Sequence, residues 1–281
     1  MMEQVIGCVD GSKATEAVCQ ASVWAACRIE APLIFLHALE HENLPMTEDH
    51  SGAIGLGARE ELLDTLVELE ASRAQLELKQ GQLVLQAVRE RAERLGLASV
   101  NTLQRHGALT ETLATMEATT RLVVVGRQGL AHETFERAIG SHIESLIRLS
   151  ARPVLVVAED FRIPSEFMLA YDGSATADKA LQMVAASPLL QQMRCHLVTV
   201  GEDAGPLETA KVQLLEAGFE VTAQQVTGNS VAVALVAYQA ENPVELTVMG
   251  AYGHSRIRQF FVGSQTTSML QRSLTPLLLL R

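Results

Sequence analysis

An internal repeat is the feature that most limits how this chain can fold. Four landmarks occur in the same order in both halves: an apolar run ending in Asp-Gly-Ser, a strand-like run ending in Gly-x-x-Gly, a Gly-Ser pair, and a Pro-led apolar run. They lie at 5–15, 123–129, 140–141 and 152–158 in the first half, and at 167–177, 247–253, 263–264 and 275–281 in the second. Four landmarks in one order indicate two copies of one structural unit.

Within each copy, short apolar runs alternate with longer segments of helical period. In the second copy the runs FMLAY, CHLVTV, FEVTAQQV, LTVM and LLLL are unbroken, which is expected of strands buried on both faces. Helices are predicted at 174–187, 206–217, 230–240 and 264–273, and the first-half strands near 3–9, 32–39, 99–105, 121–126 and 153–157. This alternation predicts an α/β fold of two tandem, open, twisted five-stranded parallel sheets with helices on both faces, similar to a Rossmann fold.

The division between the copies is expected at the charged, proline-containing stretch AEDFRIPSE, residues 158–166. It gives a first domain at 1–160 and a second at 161–281. The first domain is longer because of an insertion at about 41–95, which contains a predicted long helix. Leu62, Leu69, Leu76 and Leu83 of that helix are seven residues apart. The helix either packs on its own sheet, which we favour, or forms an intermolecular coiled seam, although Arg73 and Gln80 interrupt that seam.

Composition excludes several classes of protein. The chain has 281 residues, 48% of them hydrophobic, so it can bury a sizeable core. Its 22 basic residues stand against 33 acidic ones, and the net charge of −11 repels nucleic acid. No stretch approaches the ~20 apolar residues of a membrane span, and the N-terminus lacks the features of a signal peptide, so we expect a cytoplasmic protein without membrane insertion. The cysteines and histidines show no metal-binding spacing.

The glycines fall where a ligand is expected. In open parallel sheets, ligands bind beyond the carboxyl ends of the strands, near the point where the strand order reverses. Asp10 and Asp172 follow the first strand of each copy, while Gly126 and Gly250 end the fourth. A Gly-Ser pair opening a helix offers free N–H groups and a hydroxyl to a phosphate. Neither the Walker loop nor the dinucleotide motif GxGxxG after the first strand is present.

These motifs resemble the ATP-binding signature of the universal stress proteins, whose fold is of the adenine nucleotide alpha hydrolase type. The pattern is Gly250-x-x-Gly253-x9-Gly263-Ser264, preceded by LTVM and paired with Tyr171-Asp172-Gly173-Ser174. The resemblance implies an ATP or AMP site, with Mg²⁺ carried by the nucleotide phosphates. The implied second-half residues are Ala170, Asp172, Val200, Gly250, Gly253, Gly263, Ser264 and Gln265. The implied first-half residues are Asp10, Ala38, Gly126, Arg127, Gly129, Gly140, Ser141 and His142.

The second site is expected to be the better one. In the first half, ten residues rather than nine separate Gly129 from Gly140, and this segment carries Glu133 and Glu136. Carboxylates beside a polyphosphate oppose its binding unless they face solvent.

Three functions remain open from the sequence. A nucleotide-binding stress-response or regulatory protein is favoured, because no Walker lysine or evident base accompanies Gly250. A slow ATPase and an interaction module with empty sites are the alternatives. The apolar last strands, Val154–Val157 and Leu277–Leu280, are expected to pair within the chain as an internal pseudo-dimer. A homodimer through the insertion is a weaker expectation, and the sequence does not identify a protein partner.

Overall fold

The computed structural model describes residues 3–40, 56–127, 141–201, 205–251 and 264–281. The first-half elements are β1 Gln4–Cys8, α1 Thr15–Arg28, β2 Leu33–Leu39, α2 Leu56–Arg94, β3 Val100–His106, α3 Leu109–Met116, β4 Thr120–Gly126, α4 Ser141–Leu149 and β5 Val154–Val157. The second-half elements are β6 Glu166–Ala170, α5 Ala175–Ala185, β7 Arg194–Val200, α6 Gly205–Glu216, β8 Val221–Val226, α7 Val231–Glu241, β9 Leu246–Gly250, α8 Ser264–Arg272 and β10 Leu277–Leu280.

All ten strands belong to one sheet, in the order β3-β2-β1-β4-β5-β10-β9-β6-β7-β8. Each half contributes five adjacent parallel strands arranged in the same way, which confirms the predicted α/β fold. The halves meet where β5 and β10 pair antiparallel, with Leu278 opposite Leu155. The two predicted sheets are therefore continuous, because the edge strand of each half supplies the hydrogen-bonding partner that the other lacks.

Helices cover both faces of the sheet and enclose two apolar layers. Helices α1, α2, α5 and α6 pack on one face, where Phe35, Leu155 and Phe167 are fully buried. Helices α3, α4, α7 and α8 pack on the other face around Ile6, Val156 and Met168. This segregation follows from right-handed crossovers, which move to the opposite face when the strand order reverses at the first strand of each half. The carboxyl ends of β1 and β6 are therefore the two switch points.

The edge strand β8 differs from the expectation of burial on both faces. Three of its six residues are half-buried and three are exposed, because β8 lies at the edge beside β7 and α6 covers one of its faces. Among the described residues, no helix combines the length and apolar character that a membrane-spanning segment requires.

The predicted long helix is present as α2, which has 39 residues. Its C-terminal part packs on the chain's own sheet, with Leu85, Val88 and Ala92 buried. Three of the leucines spaced seven residues apart, Leu69, Leu76 and Leu83, do not take part in this packing, since they are exposed. The expectation of packing on the chain's own sheet is thus met by the C-terminal part of the helix alone.

Candidate functional site

The second-half crevice lies at the carboxyl ends of three adjacent strands. Strand β6 runs between β7 and β9, and Ala170 is paired with Val198 on one side and with Met249 on the other. Asp172, Val200 and Gly250 follow these paired positions within two residues. The structure therefore brings these three predicted site residues to one edge of the sheet, at the switch point.

A tight turn fixes Asp172 at this edge. One carboxylate oxygen, Oδ1, accepts a hydrogen bond from the main-chain N–H of Ser174 at 3.0 Å. Gly173 has φ of 71°, a left-handed conformation that favours glycine. Ser174 then caps helix α5, since its Oγ accepts from the Ala177 N–H at 3.2 Å. The Asp-Gly-Ser motif is thus both the end of β6 and the start of α5.

Gly250 has a packing role. A Cβ atom built on it would lie 3.0 Å from Thr176 Cγ2 and 3.1 Å from the Thr176 carbonyl oxygen. The first turn of α5 therefore rests directly against the last residue of β9. This close approach gives Gly250 a reason in the fold, separate from any contact with a ligand.

Two side-chain hydrogen bonds lie beside the crevice. Tyr171 donates a 2.6 Å hydrogen bond to Asp178 Oδ1, and burial together with this bond raises the pKa of its phenol. Gln225 on β8 donates from Nε2 to the Gly201 carbonyl at 2.7 Å, next to Val200. Tyr171 is part of the motif named from the sequence, but no local motif marks its bond to Asp178 or the bond between Gln225 and Gly201.

Two of the remaining predicted residues of the second site lie on α8. Ser264 and Gln265 form its first turn and are exposed. Gly253 and Gly263 lie outside the described residues.

The first half has a similar arrangement. Strand β1 lies between β2 and β4, and Asp10, Ala38 and Gly126 lie at the carboxyl ends of these strands. Asp10 Oδ1 accepts from the Ser12 N–H at 3.0 Å, and Gly11 has φ of 84°. The Asp-Gly-Ser turns of the two halves thus have the same geometry. Ser141 and His142 begin α4, while Gly129 and Gly140 lie outside the described residues.

Arg127 makes a contact that the sequence did not predict. Its Nη1 donates to the main-chain oxygen of Ser273, just past the end of α8, at 2.8 Å. Burial lowers the pKa of its guanidinium. Arg127, which the resemblance implies as a first-half site residue, is therefore hydrogen-bonded to the second half.

Helix α2 also lies close to the first crevice. A Cβ atom on Gly11 would lie 3.1 Å from Val84 Cγ2. His37 on β2 is buried, and its Nδ1 is 2.9 Å from the Val9 carbonyl, which makes Nδ1 the donor. Burial, with the carboxylate of Asp10 adding to it, raises the pKa of the Cys8 thiol at the end of β1. The first crevice is thus lined by groups that its counterpart lacks, since Thr199 and Ala170 occupy the positions of His37 and Cys8.

The other cluster of buried titratable groups lies at the opposite edge of the sheet. His196 contacts Tyr238 Oη through Nδ1 at 2.9 Å and Glu166 Oε2 through Nε2 at 2.7 Å. Glu166 is the first residue of β6, so this cluster belongs to the amino ends of the strands and does not reach the crevice. Within the described ranges, no group of three or more histidine, cysteine or acidic residues is placed to bind a metal.

Comparisons with known proteins agree with this architecture. The model of the universal stress protein family matches residues 1–158 and 201–281. A universal stress protein of Synechocystis sp. is 32% identical over the full length of both chains. The crystal structure of a universal stress protein from Archaeoglobus fulgidus covers 99% of this chain and 98% of its own, with a TM-score of 0.69 at 18% identity. That of a putative universal stress protein from Pseudomonas aeruginosa covers 99% and 93%, with a TM-score of 0.61 at 15% identity. The family match and the full-length relative establish that this chain belongs to the universal stress protein family.

Proposed function

We propose that the chain binds an adenine nucleotide, ATP or AMP, in the crevice of its second half and acts as a stress-response or regulatory module. The observation that carries this proposal is the convergence of Asp172, Val200 and Gly250 at one switch point. Such a crevice is where open α/β sheets bind their ligands. The internal repeat supports a division into two domains, 1–160 and 161–281, which pair through β5 and β10 as an internal pseudo-dimer. We place the protein in the cytoplasm as part of this proposal.

The donors and acceptors at the crevice fit a nucleotide. Main-chain groups at Ala170 and Val200 would contact adenine, and the Asp172 carboxylate would accept from the ribose hydroxyls. Ser264 and Gln265 would face the phosphates at the start of α8, where the free N–H groups and the helix dipole favour an anion. Gly253 and Gly263 would complete the loop, and Mg²⁺ would bind through the phosphates.

Two contacts support the second half over the first. Arg127, an implied residue of the first site, directs one N–H donor to Ser273 of the second half. Val84 of α2 lies against the Asp-Gly-Ser turn of the first half. The extra residue and the two glutamates between Gly129 and Gly140 also disfavour nucleotide binding in the first half. Binding at the first-half residues is therefore a secondary expectation.

A regulatory role is favoured over catalysis. Phosphoryl transfer needs charge neutralisation and an oriented nucleophile. In the described part of the second crevice, the Tyr171 hydroxyl is bonded to Asp178, and one oxygen of the Asp172 carboxylate is used in its own turn, which leaves the other for the ribose. We therefore expect at most slow ATP hydrolysis.

Calorimetric titration of ATP, ADP and AMP tests the proposal. We expect about one nucleotide per chain, with Asp172→Ala reducing affinity roughly 10-fold or more, since a charge-assisted hydrogen bond contributes about 1.5–3 kcal/mol. Asp10→Ala is the matched control, because it removes the equivalent carboxylate from the same type of turn. Mass spectrometry of small molecules released on denaturation identifies any nucleotide retained from the cell.

The titration separates the alternatives. Loss of binding with Asp10→Ala alone would move the site to the first half. If the wild-type protein retains no nucleotide and gives no heat with ATP, ADP or AMP, the proposal of nucleotide binding is wrong. The remaining function is then that of an interaction module. Measurable turnover of ATP that Asp172→Ala abolishes would instead indicate an enzyme.

A further inference from the structure

Helix α2 extends well beyond the sheet that it covers. It has 39 residues, whereas α6, the corresponding helix of the second half, has 12. At 1.5 Å per residue these lengths are about 58 Å and about 18 Å. Because α2 follows β2, its N-terminal part begins at the carboxyl edge of the sheet, and its last turns pack beside α1. We call residues 56–77, which precede the first contact of α2 with β3 at Leu78, the arm.

The arm carries exposed leucines on one side. Leu66, Leu69, Leu76 and Leu83 are exposed by 45%, 62%, 67% and 67%, and we call these four residues the leucine stripe. The stripe begins on the arm and ends at Leu83, which lies two residues from each of the buried Gly81 and Leu85. Positions two apart on a helix point in nearly opposite directions. The stripe therefore faces away from the chain's own sheet.

A solvated helix of this kind is poorly supported by itself. Most helices in proteins are stabilised by packing of an apolar face. Four large leucines along one side form an apolar strip of the kind that marks interaction sites. Their spacing, with three of them seven residues apart, is that of a helix seam with a left-handed supercoil.

We propose that the leucine stripe binds the same stripe on a second copy of this chain, with the two α2 helices antiparallel. The distribution of charge along α2 favours a second copy of the chain as the partner and favours the antiparallel direction. Residues 56–72 contain one basic and five acidic residues, whereas residues 73–94 contain five basic and three acidic residues. An antiparallel pair places the acidic part of each helix beside the basic part of the other, and the opposite charges attract.

A parallel pair of α2 helices would bring like charges together. In register, each residue lies beside its own copy, so the two acidic parts would meet. The two Arg73 side chains, which interrupt the stripe, would also face each other. In an antiparallel pair with a two-fold axis midway along the stripe, Leu66 lies beside Leu83 of the partner subunit, and Arg73 lies beside a leucine. The seam between positions 66 and 83 is about 26 Å long. Such a contact is isologous and closes as a dimer.

Molar mass in solution tests the proposal directly. Light scattering and sedimentation equilibrium on the full-length chain are expected to give twice the chain mass of 30.4 kDa. The double variant Leu69→Glu/Leu76→Glu places four carboxylates in the seam and is expected to weaken association by about 100-fold or more. Both residues are exposed in the chain by itself, so the variant is expected to keep its fold and its circular dichroism spectrum.

The control is Leu149→Glu/Leu274→Glu, which changes two leucines of similar exposure, 62% and 65%, outside α2. It is expected to remain dimeric. A monomeric wild type, or a dimer that survives the stripe variant, overturns the proposal. A wild-type monomer would mean that the stripe is covered by another part of the chain or by a different protein. Nucleotide affinity is measured in parallel, so failure here is separable from failure of the proposed function.

A spin-label distance tests the orientation. The exposed Cys27 is replaced by serine, and Gln86→Cys carries the label on the solvent side of α2. With the two-fold axis midway along the stripe, the labels are expected to be about 35 Å apart along the helix axis. A separation of about 10 Å would indicate a parallel pair and would refute the antiparallel arrangement.

Discussion

Arg127, the first residue after β4, donates from Nη1 to the main-chain oxygen of Ser273 at 2.8 Å and so joins the two halves of the sheet. A second arginine makes the reverse contact, since Arg281 after β10 donates to the main-chain oxygen of Ser150 after α4. Ser150 and Ser273 are equivalent in the repeat, because each lies three residues before the proline of the last strand. Each half thus supplies an arginine to the end of a helix in the other, where unpaired carbonyls and the helix dipole favour a cation.

We expect Arg127→Ala to lower the free energy of unfolding by about 1–2 kcal/mol, because it removes a charge-assisted hydrogen bond. Arg272→Ala removes an exposed arginine from the last turn of α8 and is the matched control, with an expected change within about 0.5 kcal/mol. Urea denaturation followed by circular dichroism measures both. Equal stabilities of the two variants would contradict a role for Arg127 in joining the halves.

Gly250→Ala is expected to destabilise the protein by about 1–3 kcal/mol, the usual range for overpacking. The new methyl group would meet both the side chain and the main chain of Thr176. Thermal unfolding of Gly250→Ala alone and combined with Thr176→Ala measures the two contributions. The double variant is expected to recover only part of the loss, since the Thr176 carbonyl oxygen remains 3.1 Å from the added atom. Full recovery would show that the main chain can move.

The repeat and the apolar runs were enough to predict every strand position within about one or two residues, because buried parallel strands leave an unbroken signal. The pairing of β5 with β10 also followed from the sequence, since two apolar edge strands need a partner. The exposure of β8 could not be predicted from the sequence, because its run FEVTAQQV gives no sign that the strand lies at an edge.

The local structure of candidate site residues was predictable where a short motif holds them. The Asp-Gly-Ser turns at Asp10 and Asp172 are of this kind, since their hydrogen bonds join residues two apart. The contacts of Arg127, Gln225 and His37 join residues 24 or more positions apart. Spacing in one sequence carries no information about such contacts, because tertiary packing decides which side chains meet.

Thiol labelling tests the burial of the cysteines. Burial raises the pKa values of the Cys8 and Cys195 thiols and raises the pKa of Cys19 to about 11, while Cys27 is exposed on α1. Because the thiolate is the reactive form, we expect one thiol per native chain to react rapidly with iodoacetamide at pH 8. Cys27→Ser is expected to abolish the rapid phase, and denaturation to release all four thiols. Rapid reaction of a second native thiol would contradict this packing.

Glu245 is expected to contribute an acid-sensitive part of the stability. Its Oε2 accepts from the Ser165 N–H at 2.7 Å and from the Ser165 hydroxyl at 2.8 Å, which fixes the segment before β6. The main-chain hydrogen bond from Ser165 lowers the pKa of Glu245 below its ordinary value of 4.5. A lowered folded-state pKa means that the carboxylate stabilises the fold above the unfolded-state pKa, and that this contribution is lost as the pH falls through the folded-state pKa.

Glu245→Gln should therefore be less stable than wild type at pH 7, by less than about 1 kcal/mol because the side chain is exposed and a neutral acceptor remains. Below the folded-state pKa the difference is expected to disappear, since the wild-type carboxyl is then protonated. Glu241→Gln, which removes another exposed carboxylate, is the control. Urea unfolding at pH values from 7 down to 3 gives both curves. A Glu245→Gln deficit that stays constant across this range would show that the charge of Glu245 does not act through Ser165.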